Sequence, residues 1–313
     1  MRRWETFDNR AAVARDFVFT MARAENIAVV CPRFPEGGAV GGAETLLRAF
    51  AERLAADGRQ VTFLTTCARD HFTWKNVLPA GERRVGAVKV ISFPVDEDRD
   101  VERFLAVQSR ISRGEVMSSG EEDEWVENSV NSRPLIEHLR ERGSGYDRIL
   151  MGPYLFGLIY AASRVDPGKT LLVPCLHDEP FAYLGVTRSL FDRVGGVIFN
   201  TEPERELADR VFRAARRNSR VVGVGLDPFD ADPAAFAKRH NLVRPYVLYS
   251  GRREDGKGTP LLLDHMRTFL ERTRRDVDVV LTGSGTVDAP EGLEGRIHDV
   301  GFVSEQEKHE AMA

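Results

Sequence analysis

Apolar runs of strand length alternate with helix-like patterns along most of this 313-residue chain, and this alternation constrains the fold more than any other feature. The run from Asn26 to Cys31 is almost wholly apolar, and the segment from Glu44 to Asp57 repeats leucine and phenylalanine at helical spacing. Strands that are buried on both faces and separated by helices are typical of parallel sheets. The sequence therefore predicts an α/β fold, with strands near residues 26–31, 60–66, 87–93, 147–151, 170–175, 196–199, 220–224, 246–250 and 277–282.

Turn residues at Asp227-Pro228-Phe229-Asp230 predict a boundary between two domains. We expect one domain over residues 1–227 and a second over residues 228–313, because a chain of this length usually holds two. The segment of about 94–130 interrupts the alternation, since it is acidic and poor in strand-forming residues. We predict that it is a mobile insertion in the first domain.

Composition and charge narrow the class of function. The net charge of −4 argues against general affinity for nucleic acid, because binding to a phosphate backbone needs a concentrated basic surface. The 3 cysteines lack metal-ligand spacing, so we expect a protein of the reducing cytoplasm. No segment is apolar over the length of a membrane-spanning helix. The basic cluster at residues 213–220 leaves peripheral contact with the inner face of the membrane open, and the oligomeric state is open too.

A glycine-rich stretch joins the first predicted strand to the first helix, with the sequence Gly37-Gly38-Ala39-Val40-Gly41-Gly42-Ala43-Glu44. Glycine lets a ligand approach the backbone without a Cβ in the way, and the N–H groups of the first helical turn attract an anion. Gly41 and Gly42 are therefore candidate phosphate-binding residues. A flexible strand-to-helix turn accounts for them equally well, so this stretch alone leaves both interpretations open.

A second stretch follows the strand at 246–250 and has the sequence Gly251-Arg252-Arg253-Glu254-Asp255-Gly256-Lys257-Gly258. Arginine offers a planar fork of donors and lysine a point charge, and together they neutralise a departing diphosphate without a metal. Arg252 and Lys257 are the candidates for that role. The alternative is a solvated basic turn.

Polar residues follow two further predicted strands. Leu176 leads to His177-Asp178, and Phe199 leads to Asn200-Thr201. Open α/β sheets bind ligands at the carboxyl ends of their strands, so His177 is a candidate ligand-contacting side chain. The alternative is a histidine that is hydrogen-bonded in a turn. Glu44 either contacts a ligand or complements the dipole of its helix.

In their order these motifs resemble those of glycosyltransferase family 4. That family has an early GGAE turn, a His-Asp after a mid-chain strand, a strand followed by Asn and Ser or Thr, and a late GR-x4-KG loop. The resemblance spans roughly residues 26–313, and the ordered set is specific where each piece alone is weak. The motifs here are Gly41-Gly42-Ala43-Glu44, His177-Asp178, Asn200-Thr201, the loop from Gly251 to Gly258, and Gly283-Ser284-Gly285 as the following G-x-G strand end.

The resemblance implies a GT-B fold, in which two Rossmann-like parallel-sheet domains face a cleft. It implies an acceptor-binding first domain and a second domain that binds a nucleotide sugar. It also implies retaining transfer without a metal and with no cofactor besides the UDP- or GDP-linked donor. His177, Arg252 and Lys257 would be catalytic. The residues that would bind substrate or donor are Gly41, Gly42, Glu44, Asp178, Asn200, Thr201, Gly251 and Gly283.

Two departures from the family pattern stand out. The segment Gly223 to Gly225 replaces the usual Asn-Gly of the interdomain segment, and the chain ends before the E-x7-E glutamate pair. We therefore expect the second domain to be incomplete, which leaves the activity of the chain as given open.

The predicted function is transfer of a hexosyl group to a glycan, a lipid-linked acceptor or a small molecule. Two alternatives stay open. One is a non-catalytic protein that binds a nucleotide sugar or a glycan, and the other is a GT-B-like nucleotide-sugar epimerase, which would react without an acceptor.

Overall fold

The computed structural model describes residues 25–36, 41–213, 218–225, 228–253 and 257–313. The chain divides into two compact units, Met1–Val224 and Gly225–Ala313. The sequence-based boundary at Asp227 falls next to this division, although Leu226 and Asp227 themselves lie outside the described residues.

The first unit contains an eight-stranded sheet with the order β3-β4-β2-β1-β5-β6-β7-β8. All neighbouring strands are parallel except β3 and β4, which form an antiparallel pair. The sequence patterns missed β3, because its residues GERRV are polar and it lies at the edge of the sheet. The strands are β1 (Asn26–Val30), β2 (Gln60–Thr66), β3 (Gly81–Val85), β4 (Val88–Phe93), β5 (Arg148–Met151), β6 (Thr170–Leu172), β7 (Gly196–Phe199) and β8 (Ser219–Val221).

Helices cover both faces of this sheet. Successive residues of β1 point to opposite sides, so Ala28 and Val30 belong to one buried cluster while Ile27 and Val29 belong to another. This is the arrangement that a continuous apolar strand predicts. The helices of the first unit that the structure describes are α1 (Gly42–Ala56), α2 (Val101–Ser112), α3 (Ser119–Asn128), α4 (Arg133–Arg142), α5 (Gly157–Ala162), α6 (Gly185–Arg193) and α7 (Glu202–Phe212).

The acidic segment of about 94–130 forms two packed helices, which its composition did not predict, and its mobility stays a prediction. Asp100 caps α2 through the backbone N–H of Arg103, and Ser118 forms a capping box with Glu121 at the start of α3. Besides these acidic residues, the two helices carry a stripe of buried apolar side chains. Trp125 of α3 is almost wholly buried, and its ring centroid lies 5.3 Å from that of Phe181.

The second unit contains a parallel three-stranded sheet with the order β11-β10-β9 among the residues that the structure describes. Leu263 and Met266 pack against Val279 and Leu281 on one face, and Phe236 packs near Val280 on the other. The elements are α8 (Pro233–Arg239), β9 (Tyr246–Ser250), α9 (Thr259–Thr273), β10 (Asp278–Thr282), β11 (Ile297–Gly301) and α10 (Glu305–Met312). Across both units, no described helix combines the length and the apolar character that crossing a membrane requires.

Candidate functional site

The candidate residues of the first unit lie at the carboxyl edge of its sheet. β1 lies between β2 and β5. The chain passes from β1 through α1 to β2 on one side, and later returns to form β5 on the other side. Ligands bind at such a switch point in open α/β sheets. The segments that follow β1, β6 and β7 carry Gly41, His177 and Asn200 respectively.

The N-terminus of α1 is exposed. Gly41 is the N-cap residue, with φ −64° and ψ 159°, and no side chain accepts a hydrogen bond at this cap. A Cβ built on Gly42 would have no atom within 4 Å, so the space beside the first helical turn is open. The N–H groups of this turn are therefore accessible to an anion. Residues 37–40 of the predicted glycine loop lie outside the described residues.

Glu44 forms a buried ion pair with Arg33, and its Oε2 lies against Gly41, where a Cβ would collide with it. Glu44 and Arg33 are 3% and 6% exposed. Nε of Arg33 lies 3.1 Å from Oε1 of Glu44, and Nη2 contacts the same oxygen. The guanidinium also lies over the ring of Trp74, 5.7 Å from its centroid, and Nη1 donates to the carbonyl of Arg69. The pair attaches the start of α1 to the loop after β1, and a direct role of Glu44 at an acceptor stays a prediction.

The side chain of His177 is exposed, whereas its neighbour Asp178 is held by two contacts. Oδ1 of Asp178 accepts a hydrogen bond of 2.6 Å from the hydroxyl of Tyr183. Its Oδ2 lies 2.8 Å from Nη2 of Arg210. The carbonyl of His177 accepts from the backbone N–H of Glu179 at 3.0 Å. The turn thus presents the imidazole to solvent at the sheet edge.

A buried carboxylate, that of Glu204, organises this edge. Glu204 of α7 accepts hydrogen bonds from the backbone N–H groups of Leu176 at 2.7 Å and Asn200 at 2.6 Å. Burial raises the pKa of the Glu204 carboxyl above its ordinary value, and these backbone donors and the nearby His177 offset only part of the increase. Glu204 therefore joins the segments that carry His177 and Asn200. In the sequence, a glutamate three residues after a threonine indicates only a helix N-cap. The hydroxyl of Thr201 does accept a hydrogen bond of 3.2 Å from the backbone N–H of Glu204.

Asn200 turns towards the protein. Its Nδ2 lies 3.6 Å from Sγ of Cys175, and its Oδ1 is buried without a hydrogen-bond partner. Cys175 has a φ of 52°, in the left-handed region, and burial raises the pKa of its thiol to about 12. The thiol is therefore neutral at physiological pH. Ligand contact by Asn200 and Thr201 stays a prediction.

In the second unit, two glycines bring neighbouring strand ends close together. The N–H of Gly251 donates to the carbonyl of Thr282 at 3.0 Å. Gly283 has a φ of +107°, and a Cβ there would collide with the carbonyl oxygen of Gly251. Packing therefore explains Gly283, whereas a Cβ at Gly251 would come no nearer than 3.6 Å to the ring of Tyr249. The predicted role of both glycines in donor binding is untested.

Arg253, which the sequence interpretation did not single out, fixes the loop after β9. It is 8% exposed, and Nη1 donates to the carbonyl of Gly285 at 2.7 Å while Nη2 contacts Asp299. Its backbone N–H donates to the carbonyl of Ser284 at 2.8 Å. Arg253 thus connects the segments after β9 and β10 to β11.

The two predicted phosphate-binding cations differ from Arg253 in being exposed. Arg252 follows β9, and its carbonyl accepts from the hydroxyl of Tyr249 at 2.6 Å. Lys257 directly precedes Gly258, which is the N-cap of the 15-residue helix α9 with a φ of 71°. Residues 254–256 lie outside the described residues. In the described parts of the chain, no group of three or more histidine, cysteine, aspartate or glutamate residues is placed to hold a metal ion.

Comparisons with known proteins bear on the fold. No family model matches the chain, and no curated protein sequence matches it. Among solved structures it is similar to an α,α-trehalose 6-phosphate synthase from Burkholderia multivorans, with a TM-score of 0.54 and 14% identity, covering 92% of this chain and 76% of the other. It is also similar to a glycosyltransferase from Rickettsia africae ESF-5, with a TM-score of 0.50 and 10% identity, covering 93% of this chain and 72% of the other. Likenesses at such identities show the fold alone. They confirm the predicted α/β fold of GT-B type, and membership of glycosyltransferase family 4 stays a prediction.

Proposed function

We propose that the protein is a glycosyltransferase of the family 4 type, which moves a hexosyl group from a nucleotide diphosphate sugar to an acceptor with retention of anomeric configuration. The observation that carries the proposal is the construction of the loop after β9. Buried Arg253 fixes its start, while Arg252 and Lys257 are exposed and Lys257 precedes the N-terminus of α9. Fixed cations beside a helix N-terminus are suited to a diphosphate.

Two of the solved structures that the chain resembles are a trehalose 6-phosphate synthase and a glycosyltransferase, and both names support transfer chemistry. In the proposed reaction the bond between the anomeric carbon and the diphosphate oxygen breaks, and a bond from the acceptor hydroxyl oxygen to that carbon forms. The hydroxyl proton passes to the leaving phosphate oxygen. Arg252 and Lys257 would stabilise the negative charge that develops there, and removing one such donor typically costs about 3–4 kcal/mol of barrier.

The first unit would bind the acceptor. Its exposed His177 lies at the carboxyl edge of the sheet, on a segment that Glu204 fixes through Leu176. An imidazole in this position is suited to donate a hydrogen bond to a hydroxyl of the donor sugar. Because the leaving phosphate takes the acceptor proton, the proposal requires no protein base.

Calorimetric titration with UDP and GDP at fixed salt tests the assignment of the loop. We expect one of the two nucleotides to bind the wild-type chain, and the Arg252→Ala, Lys257→Ala double variant to bind it at least about a hundredfold more weakly, because two charge-assisted hydrogen bonds are lost. The matched control is Arg272→Ala, Arg275→Ala, which removes two exposed cations at the other end of α9. This control should bind like the wild type. Binding of neither nucleotide, or equal loss in both double variants, would contradict the proposal.

Enzyme assays separate transfer from binding alone. A transferase releases UDP or GDP from the sugar nucleotide in the presence of an acceptor. An epimerase changes the sugar without one, and a binding protein does neither. Incubation of the wild-type chain with UDP- and GDP-linked hexoses, with and without an acceptor mixture, therefore distinguishes the three functions.

A further inference from the structure

An open cleft of about 500 Å³ lies in the first unit beside the His177 segment. One wall is the junction between α2 and α3, and the other is the segment of residues 178–184. The volume is within the range of sites that bind small molecules. The residues that line it are Ile111, Gly114, Glu115, Val116, Met117, Glu122, Asp178, Glu179, Pro180, Tyr183 and Leu184.

Contacts between the walls hold the cleft in place. The ring of Trp125 in α3 packs against that of Phe181, and Oε2 of Glu122 accepts from the backbone N–H of Val186 at 2.8 Å. These contacts attach the helices of the acidic segment to the segment that follows Asp178. The cleft is therefore preformed rather than a gap between independent loops.

The surface of the cleft is largely apolar and carries one aromatic ring. Tyr183 is 57% exposed, and its hydroxyl is fixed on Asp178, so its ring is available for stacking. Val116 is also strongly exposed, and Met117 beside it has the flexible side chain that adapts to apolar ligands. These residues suit a ligand with a flat apolar body.

The charges around the cleft select the ligand further. Its lining contains four carboxylates and neither lysine nor arginine. Glu115 pairs with Arg110 and Arg113, and Asp178 pairs with Arg210. Two carboxylates, those of Glu122 and Glu179, have no cationic partner among the residues that the structure describes. Glu122 accepts from Val186, and Glu179 accepts from the hydroxyl of Tyr154 at 2.7 Å. An ammonium group would be stabilised here, whereas a phosphate or carboxylate would be repelled.

We propose that this cleft binds a small molecule with an aromatic or similarly flat apolar body and a protonated amine. The ammonium lies between Glu122 of one wall and Glu179 of the other, and the apolar body lies on Tyr183. That this molecule is the acceptor of glycosyl transfer rests on the proposed function. In that role its hydroxyl points to the end of the cleft formed by Asp178, next to His177. The proposal favours an amine-bearing small molecule over a lipid phosphate as acceptor.

Three probes with the same phenol ring test the inference: tyramine is cationic, 4-ethylphenol is neutral and 4-hydroxyphenylacetate is anionic. Ligand-observed NMR titration at low, fixed salt measures the Kd of each. We expect tyramine to bind at least about threefold more tightly than the neutral probe, because each exposed ion pair contributes about 0.2–1 kcal/mol. The anionic probe should bind most weakly. Equal affinity for the cationic and anionic probes, or no binding of tyramine at about 10 mM, would overturn the inference.

Variants locate the charge effect. In Glu122→Gln, Glu179→Gln the amide oxygens still accept from Val186 and Tyr154, so the walls keep their contacts while two negative charges are lost. We expect the Kd for tyramine to rise about three- to tenfold and the difference between the probes to shrink. Glu127→Gln, on the exposed surface of α3 outside the cleft, should leave all three Kd values unchanged. An unchanged tyramine Kd in the double variant would place its binding elsewhere and overturn the inference. The wild-type comparison of the three probes decides the question even where a variant fails to fold.

Nucleotide titration of the same samples separates the two proposals. Binding of UDP or GDP without selective binding of tyramine overturns this inference and leaves the proposed function standing. Selective binding of tyramine without nucleotide binding contradicts the proposed function and leaves this inference standing.

Discussion

The carboxyl edges of the two sheets are stabilised in different ways. In the first unit, buried side-chain charges hold the edge: Glu44 pairs with Arg33, and Glu204 binds two backbone N–H groups. In the second unit, the segments after β9 and β10 approach through the backbone at Gly283, whose φ is +107°, and buried Arg253 joins them to Asp299 of β11. In both units, charged residues at the carboxyl edge of the sheet act as structural supports. Removing a charge should therefore damage the first unit, and adding a methyl group the second.

Glu44→Ala should have the largest effect, because it leaves the guanidinium of Arg33 buried without its anionic partner. Breaking a buried ion pair on one side typically costs about 3–5 kcal/mol of the free energy of unfolding. Urea denaturation measures the loss, and hydrogen exchange at the amides of β1 and α1 assigns it to the first unit.

The double variant Arg33→Met, Glu44→Leu is the matched control for this prediction. It replaces the pair with apolar side chains of similar size and should lose much less stability, since the cost of desolvating the two charges also disappears. A Glu44→Ala variant as stable as the wild type would show that water solvates Arg33, and the contrast between the two edges would fail.

Gly283→Ala should have the next largest effect, confined to the second unit. The new Cβ would meet the carbonyl oxygen of Gly251, and a φ of +107° is strained for any L residue. We expect a loss of about 2–3 kcal/mol, seen as faster hydrogen exchange in β9 and β10. Nucleotide binding by the adjacent loop should weaken in parallel.

Gly295→Ala provides the comparison for that variant. Gly295 also has a positive φ, of +71°, but a Cβ there would meet no atom within 4 Å. This variant should lose only the backbone strain, about 1–2 kcal/mol. Equal losses in the two variants would mean that close approach of the strand ends contributes little.

Local patterns predicted the strands well but did not predict the partners of charged side chains. Apolar runs located the strands that carry Gly41, His177 and Asn200 to one sheet edge, because a continuous apolar run bounded by turn residues is a local signal. The partnership of Arg33 with Glu44 depends on how the loop after β1 folds back on α1, which no spacing encodes. Adjacent Arg252 and Arg253 show the same limit. Alternation along an extended segment places them on opposite sides, but only the packing of β10 and β11 decides that Arg253 is the buried one.

The helices of the acidic segment were missed for a different reason. Its composition is that of a solvated loop, and its charged residues are indeed on the surface. The buried stripe of Val107, Ile111 and Trp125 is short, and it becomes visible only when the helix periodicity is tested over two separate helices. Average composition therefore hid an element that forms one wall of the cleft.

The pH-dependent part of the effect of Glu204→Gln should be the smallest of these effects, and it sharpens the comparison through pH. The folded-state pKa of Glu204 is raised above its ordinary value of 4.5, mainly by burial. The folded state therefore holds the proton more tightly than the unfolded state, so its contribution to stability is fully present below about pH 4.5 and is lost as the pH rises through the folded-state pKa. Glutamine does not titrate, but it keeps only one of the two oxygens that accept from the N–H groups of Leu176 and Asn200. The variant therefore starts from a lower stability, and this loss does not change with pH. We expect the difference in free energy of unfolding between variant and wild type to shift in favour of the variant as the pH rises from about 4 to 7, as measured by urea denaturation at each pH.

Glu206 is an exposed carboxylate on the same helix and provides the control. Glu206→Gln should follow the wild type across this range. Parallel stability curves for wild type and Glu204→Gln would show that the backbone donors fully offset burial, and the edge of the first unit would then be no more sensitive to pH than that of the second.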